Sequence, residues 1–286
     1  MFPAIMKPPP TSAGLGAGLR LRTASIVCGV DSRGAEQPAL AVARLFAERL
    51  HEPLVLVHAV NPPVHDGMPS ALCDALSAYA RELFTDRLVD LAKTGVETIA
   101  DVRTGGQAEA LSESALTWNA RLIVLSTRRC GADERSMHNL VHDDVVVAAA
   151  APTLFIGSEA PFKRWMAGRR LRVVAGMDAS TTMLPVLRWI SWLRHVGPCD
   201  VVVLRFDDES GVSERSFRRA VQDSLGAHRV RVRIEKGWNW SDAHVIGLAS
   251  EERADLLVLG GASGGACPWR GVLRYAPMSV ACIRAP

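Results

Sequence analysis

A chain of 286 residues with 48% hydrophobic content is long enough for one large domain or two of ordinary size. Its formal net charge of +3 gives no electrostatic case for nucleic acid, since the arginines are scattered among carboxylates apart from a cluster at Lys163, Arg164, Arg169, Arg170 and Arg172. No membrane partner is expected either, because the longest apolar run, Val145 to Ala151, stops at Pro152, far short of the roughly 20 residues a span needs.

Residues 1–22 contain Pro8, Pro9 and Pro10 and no continuous apolar segment, so a disordered tail is expected there rather than a signal peptide. Five apolar runs follow in the first half: Ser25–Val30, Leu54–Val60, Ile99–Arg103, Leu122–Leu125 and Thr153–Ile156. They alternate little, as strands covered on both faces should. Between them, stripes at helical spacing predict helices with buried faces: Val42, Leu45, Phe46 and Leu50; then Leu72, Leu76, Tyr79 and Leu83; then Ala108, Leu111, Ala115 and Trp118. A polar, basic linker is expected at 159–170. Beyond it the pattern starts again with Arg172–Met177, Val201–Phe206, Val230–Ile234, Leu256–Leu259 and Ser279–Ile283, and Val186, Ile190 and Leu193 repeat the first helical stripe. Strands alternating with helices predict parallel sheets with helices on both faces.

The spacing makes this a duplication. Asp31 and Asp178 are 147 residues apart (178 minus 31), and so are Leu54 and Val201. Leu122 and Leu256 are 134 apart, so the second copy is shorter by 13 before its fourth strand. Thr153 and Ser279 are 126 apart, which predicts a further loss of 8 between the fourth and fifth strands. Two domains are expected, 23–158 and 171–286, the second shortened.

The strand ends at Asp31 and Asp178, "LVLVHAV" at 54–60, and the segments "RLIVLSTRRCG" and "DLLVLGGASGG" after the fourth strands together resemble the universal stress protein family in its tandem, two-domain form. The resemblance covers nearly all of the chain after about residue 22. It implies two flavodoxin-like, Rossmann-like doubly wound domains, each with a five-stranded parallel sheet of order 3-2-1-4-5. It also implies an intramolecular pseudo-dimer of the two domains with the fifth strands near their contact, and a homodimer as a further possibility. ATP-binding members hold adenosine against the aspartate ending strand 1 and the backbone after strand 2. Their phosphates rest on a glycine loop of the form G-2x-G-9x-G-[S/T] after strand 4. Such a loop offers bare N–H groups to phosphate at the carboxyl edge of the sheet.

Carried over by position, the resemblance marks Asp31 and Ala59 in the first half, and Asp178, Phe206, Gly260, Gly261 and Gly264 in the second, as ligand- or nucleotide-binding candidates. Each half departs from the motif. The first reads Ser126-Thr127-Arg128-Arg129-Cys130-Gly131, and residues with a Cβ block the close backbone approach that glycine allows. The second has Gly261-2x-Gly264, but Gly271 arrives seven positions later and Val272 replaces the hydroxyl. An adenine nucleotide is the candidate ligand, with degenerate sites for it.

Bland readings stand beside these. Asp31 and Asp178 also suit helix caps, and the glycines a tight turn. Trp238, Trp240 and Trp269 fill the space left by the shortened loop or cover a domain interface, or else line an apolar pocket. His138 and His142 have metal-ligand spacing but no second pair, so no metal site is assigned. Cys130 and Cys267 follow the fourth strands and read as ordinary loop cysteines. The six cysteines form no CxxC, and Cys28 and Cys282 lie in apolar runs, which fits a reduced, cytoplasmic protein. No GxSxG, Walker lysine or HExxH is present, and no catalytic residue is assigned. Two functions remain open: a non-enzymatic cytoplasmic stress-response protein acting through an unidentified protein or small-molecule partner, or an ATP-binding protein with weak ATP hydrolase activity.

Overall fold

The structure is a computed structural model that describes residues 24–30, 38–60, 69–92, 95–127, 145, 151–177, 182–206, 212–235, 241–261 and 269–284. The first half runs β1 (Ser25–Gly29), α1 (Pro38–Leu50), β2 (Leu54–Val60), α2 (Ser70–Ala92), β3 (Thr98–Thr104), α3 (Gln107–Thr117), β4 (Ala120–Ser126) and β5 (Thr153–Ile156). A short helix, α4 (Ala160–Met166), leads to β6 (Leu171–Met177), α5 (Met183–Val196), β7 (Cys199–Phe206), α6 (Glu214–Leu225) and β8 (Val230–Glu235). The chain ends with α7 (Asp242–Glu251), β9 (Leu256–Gly261), α8 (Arg270–Tyr275) and β10 (Ser279–Arg284). Every run expected to be a strand is one, with ends displaced by two residues at most. The 1–22 tail lies outside the described residues.

The strands form one ten-stranded sheet of order β3-β2-β1-β4-β5-β10-β9-β6-β7-β8. Each half has the expected order 3-2-1-4-5, the second read from the opposite side, and all pairings within a half are parallel. The contact expected at the fifth strands is a strand pairing: β5 and β10 run antiparallel, with Phe155 opposite Val280, Leu154 opposite Ala281 and Thr153 opposite Cys282. This arrangement is what a two-fold axis between the halves requires, and it makes the two sheets continuous.

Registers repeat as well. Ile26 pairs with Leu54 and Val173 with Val201, both 147 residues on. One offset needs correction. Ile123 pairs with Thr153, 30 residues on, and Leu257 with Val280, 23 residues on, so the second copy is shorter by seven between these strands rather than eight. Strand composition alone cannot resolve a one-residue shift when both faces are apolar.

Alternate strand residues feed two cores. On one face Ile26, Leu54, Leu122, Val173, Val201 and Leu256 meet α1, α4, α5 and α6. On the other Val27, Val55, Ile123, Val174, Val202 and Leu257 meet α3, α7 and α8. Within 159–170, α4 buries Phe162 and Trp165 in the first core. There Phe46 of α1 stacks on Trp192 of α5, with ring centroids 5.9 Å apart and planes at 16°. Arg49 Nε also donates to the Val196 carbonyl at 3.1 Å.

The stripe expected to be buried on α2 is not. Leu72 and Tyr79 are 45% and 60% exposed, and Ser77 and Ala80 face inward instead. Helix α2 packs mainly on β2 and the edge strand β3. Leu83 has no described side chain. Elsewhere the local rules hold: Ser213 and Ser241 cap α6 and α7 by accepting from the Ser216 and His244 amides at 3.1 and 3.3 Å.

Candidate functional site

In a doubly wound sheet the crevice forms at the carboxyl edge where strand order reverses, here between β1 and β4 and between β6 and β9. The candidates Asp31, Asp178 and Gly264 fall outside the described residues, as do Trp238, Trp240, Cys130, Cys267, His138 and His142. Gly260 and Gly261 end β9 and pair with Ile283 and Arg284. Phe206 ends β7 opposite Glu235, and Ala59 is half-buried near the end of β2 opposite Arg103. The described candidates therefore line the predicted edge, but Ala59 belongs to one crevice and the other three to the second half.

In the first half, two described groups at this edge are engaged within the chain. Ser126, the last residue of β4, accepts from the Ala39 amide in the first turn of α1 at 3.2 Å. The next residue, Thr127, donates to the Ile156 carbonyl through both its amide, at 2.9 Å, and its hydroxyl, at 3.0 Å.

The second half closes the same place differently. Gly260 corresponds to Ser126 by the 134-residue offset, and a Cβ on it would meet Thr182 Cβ and Oγ1 at 2.8 Å and Val186 Cγ2 at 3.2 Å. Its carbonyl accepts the indole N–H of Trp269 at 2.8 Å. Trp269 also packs on the second core. Gly271 lies in the first turn of α8, and the Asp242 carboxylate of α7 occupies the place a Cβ there would take.

Sequence reasoning passed over two groups at this edge. Arg205 is 5% exposed; its Nη2 donates to the Val212 carbonyl at 2.6 Å, and its guanidinium lies 5.3 Å from the Phe217 ring centroid. The 147-residue offset places it at the position of His58, whose Nδ1 lies 3.0 Å from the Val30 carbonyl. Thr182, 4% exposed, was the other. Aligning the halves residue by residue would have singled out Arg205; Thr182 carried no such signal.

Burial pushes the Cys28 and Cys199 thiols up to about 12, with Arg194 and Arg170 partly offsetting the effect at Cys199. Both are inert core residues at neutral pH. Among the described residues no helix is long and apolar enough to cross a membrane.

Residues 23–156 match the model of the universal stress protein family. No curated protein matches the chain in sequence. Its structure is similar to a universal stress protein from Archaeoglobus fulgidus DSM 4304 at a TM-score of 0.70 and 12% identity, over 91% of this chain and 96% of that one. It is also similar to a putative universal stress protein from Pseudomonas aeruginosa UCBPP-PA14, at a TM-score of 0.62 and 15% identity over 92% and 93%. A functionally unknown protein from Pseudomonas aeruginosa PAO1 aligns at 0.61 and 14% over the same shares. At these identities the likeness is one of fold, and it extends through both halves. Residues 23–156 thus form a domain of the universal stress protein family, and the second half repeats its fold behind it.

Proposed function

We propose that the protein is a non-catalytic stress-response protein that acts by binding, and that neither carboxyl edge holds a nucleoside triphosphate in the family manner. One observation carries this: the chain's own groups occupy the strand-4 ends where a phosphate loop would have to leave amides bare. Thr182 and Trp269 cover Gly260, and Asp242 puts a carboxylate beside the start of α8. Ser126 caps α1 in the first half. Each lost hydrogen bond to a charged group forfeits about 1.5–3 kcal/mol, so several together remove orders of magnitude in affinity. A carboxylate beside the remaining amides repels phosphate further.

The test is calorimetric titration of the full chain with Mg-ATP, alongside chromatography of whatever nucleotide is released on denaturing protein purified without added nucleotide. Neither a sub-micromolar dissociation constant nor stoichiometric ATP, ADP or AMP is expected. Either result would overturn the proposal.

A further inference from the structure

A cavity of about 250 Å³ opens at the other edge of the sheet, where the amino ends of β6, β7 and β8 meet the carboxyl end of α7. Its charged lining is Arg172, Asp200, Arg231, Glu251, Glu252 and Arg253, over a floor that includes Val174 and Val202. The first half has the same place with an aromatic side chain in it. There the half-buried Trp118 follows α3, its indole N–H donates to Asp101 Oδ2 at 2.9 Å, and its carbonyl accepts from Ser25 Oγ at 2.8 Å.

The offsets turn this into a comparison. A shift of 134 puts Glu252 at the position of Trp118 and Arg253 at that of Asn119; a shift of 147 puts Arg172 at Ser25 and Asp200 at Pro53. Asn119 and Arg253 both hold positive φ, 49° and 53°, so the turn is the same and the side chains differ. An aromatic plug in one copy has become a charged cavity in the other.

The pairing inside the cavity is incomplete. Arg231 bonds Glu252 at 2.8 Å, and Arg233 draws Glu251 at 3.3 Å. Among the described residues, no carboxylate lies within ion-pair distance of the Arg172 or Arg253 guanidinium. Asp200 reaches Arg170 only at 3.8 Å, and its Oδ1 is buried with no hydrogen-bond partner. Two cations and one under-bonded carboxylate thus remain around one small space.

We propose that this cavity binds a small zwitterion of the α-amino acid class. The ligand carboxylate pairs with Arg172 and Arg253, and its ammonium donates to Asp200. A simple anion would face Asp200, Glu251 and Glu252, and a simple cation would face the arginines; only a ligand carrying both charges complements both sets. The volume lies below the roughly 300 Å³ at which drug-sized pockets begin, so an amino acid fits and a nucleotide does not. The site is separate from the carboxyl edge and stands or falls independently of nucleotide binding there.

The experiment is calorimetry and thermal shift on the full chain with each of the twenty L-amino acids in turn, using acetate and methylammonium as half-ligand controls. At least one amino acid is expected to bind at millimolar concentration or below and raise Tm, and neither half-ligand to do so. Arg253→Ala and Asp200→Asn should each weaken binding by about tenfold or more, the cost of one charge-assisted hydrogen bond. Glu252→Trp should restore the plug and abolish binding while circular dichroism stays unchanged. Absence of binding by every amino acid overturns the proposal. So does binding that survives Glu252→Trp, or that both Arg253→Ala and Asp200→Asn leave intact, or that acetate alone reproduces.

Discussion

Thr182 stands directly over Gly260: a Cβ on the glycine would lie 2.8 Å from both the Cβ and the Oγ1 of the threonine. Val186 closes the same space at 3.2 Å. Glycine at 260 is therefore required by the seating of α5 on β9, whatever binds nearby. Gly260→Ala should destabilise the protein by about 1–3 kcal/mol through overpacking, measured as a lower urea midpoint with no ligand present. Unchanged stability would return Gly260 to the ligand-contact reading.

The buried thiols predict a stability that declines in alkali. In the folded protein Cys28 and Cys199 ionise only near pH 12, against 9.0 for the ordinary thiol. Their folded pKa values are raised, so the stabilisation is complete below about pH 9 and is lost as pH climbs toward 12. Between those limits each thiol should lower stability by about 1.4 kcal/mol per pH unit. Urea midpoints at pH 8 and pH 10.5 would test this, with Cys28→Ala giving a shallower slope.

The fold was readable because doubly covered strands leave an unmistakable trace. Val27, Val124 and Val258 point to different cores or copies, yet each sits in an unbroken apolar run. The duplication supplied the topology, and the antiparallel meeting of Leu154 with Ala281 is its symmetrical consequence. What stayed hidden depended on neighbours. Leu72 and Tyr79 follow helical spacing as faithfully as Val42 and Phe46, but periodicity does not say which face an edge strand receives. The candidate site was legible only as an edge. That Ser126 caps α1 and Trp269 seals Gly260 are contacts between residues 87 and 9 positions apart, and no motif encodes them. Glu252 opposite Trp118 was present in the 134-residue offset, but only comparison of the two copies gives it meaning.

Arg229 offers a test of backbone strain that needs no ligand. It is exposed, precedes β8 and holds φ at 60°, where its Cβ crowds the backbone. Its carbonyl accepts from the Val201 amide at 2.9 Å, a bond that any residue can make. Arg229→Gly should relieve the left-handed conformation and raise stability by about 0.5–1 kcal/mol, after allowing for glycine's greater freedom in the unfolded chain. The readout is the urea midpoint at constant slope.

The junction between the halves yields the last prediction. Phe46 belongs to the first half, yet it is fully buried among rings from beyond β5: Trp192 at 5.9 Å, Trp165 at 5.8 Å and Phe162 at 6.4 Å. Together with the β5–β10 pairing, this cluster means that neither half can open without exposing the other's core. Unfolding should therefore be a single transition, with far-UV circular dichroism and tryptophan fluorescence coincident in urea. Phe46→Ala should cost about 3–5 kcal/mol and shift both signals together. The tryptophans named here lie in α4 and α5, outside the half that carries the substitution, so their response reports transmission across the junction. If the two probes separate in the parent protein, the halves fold as independent units. If the Phe46→Ala loss appears in circular dichroism alone, the aromatic cluster does not couple them.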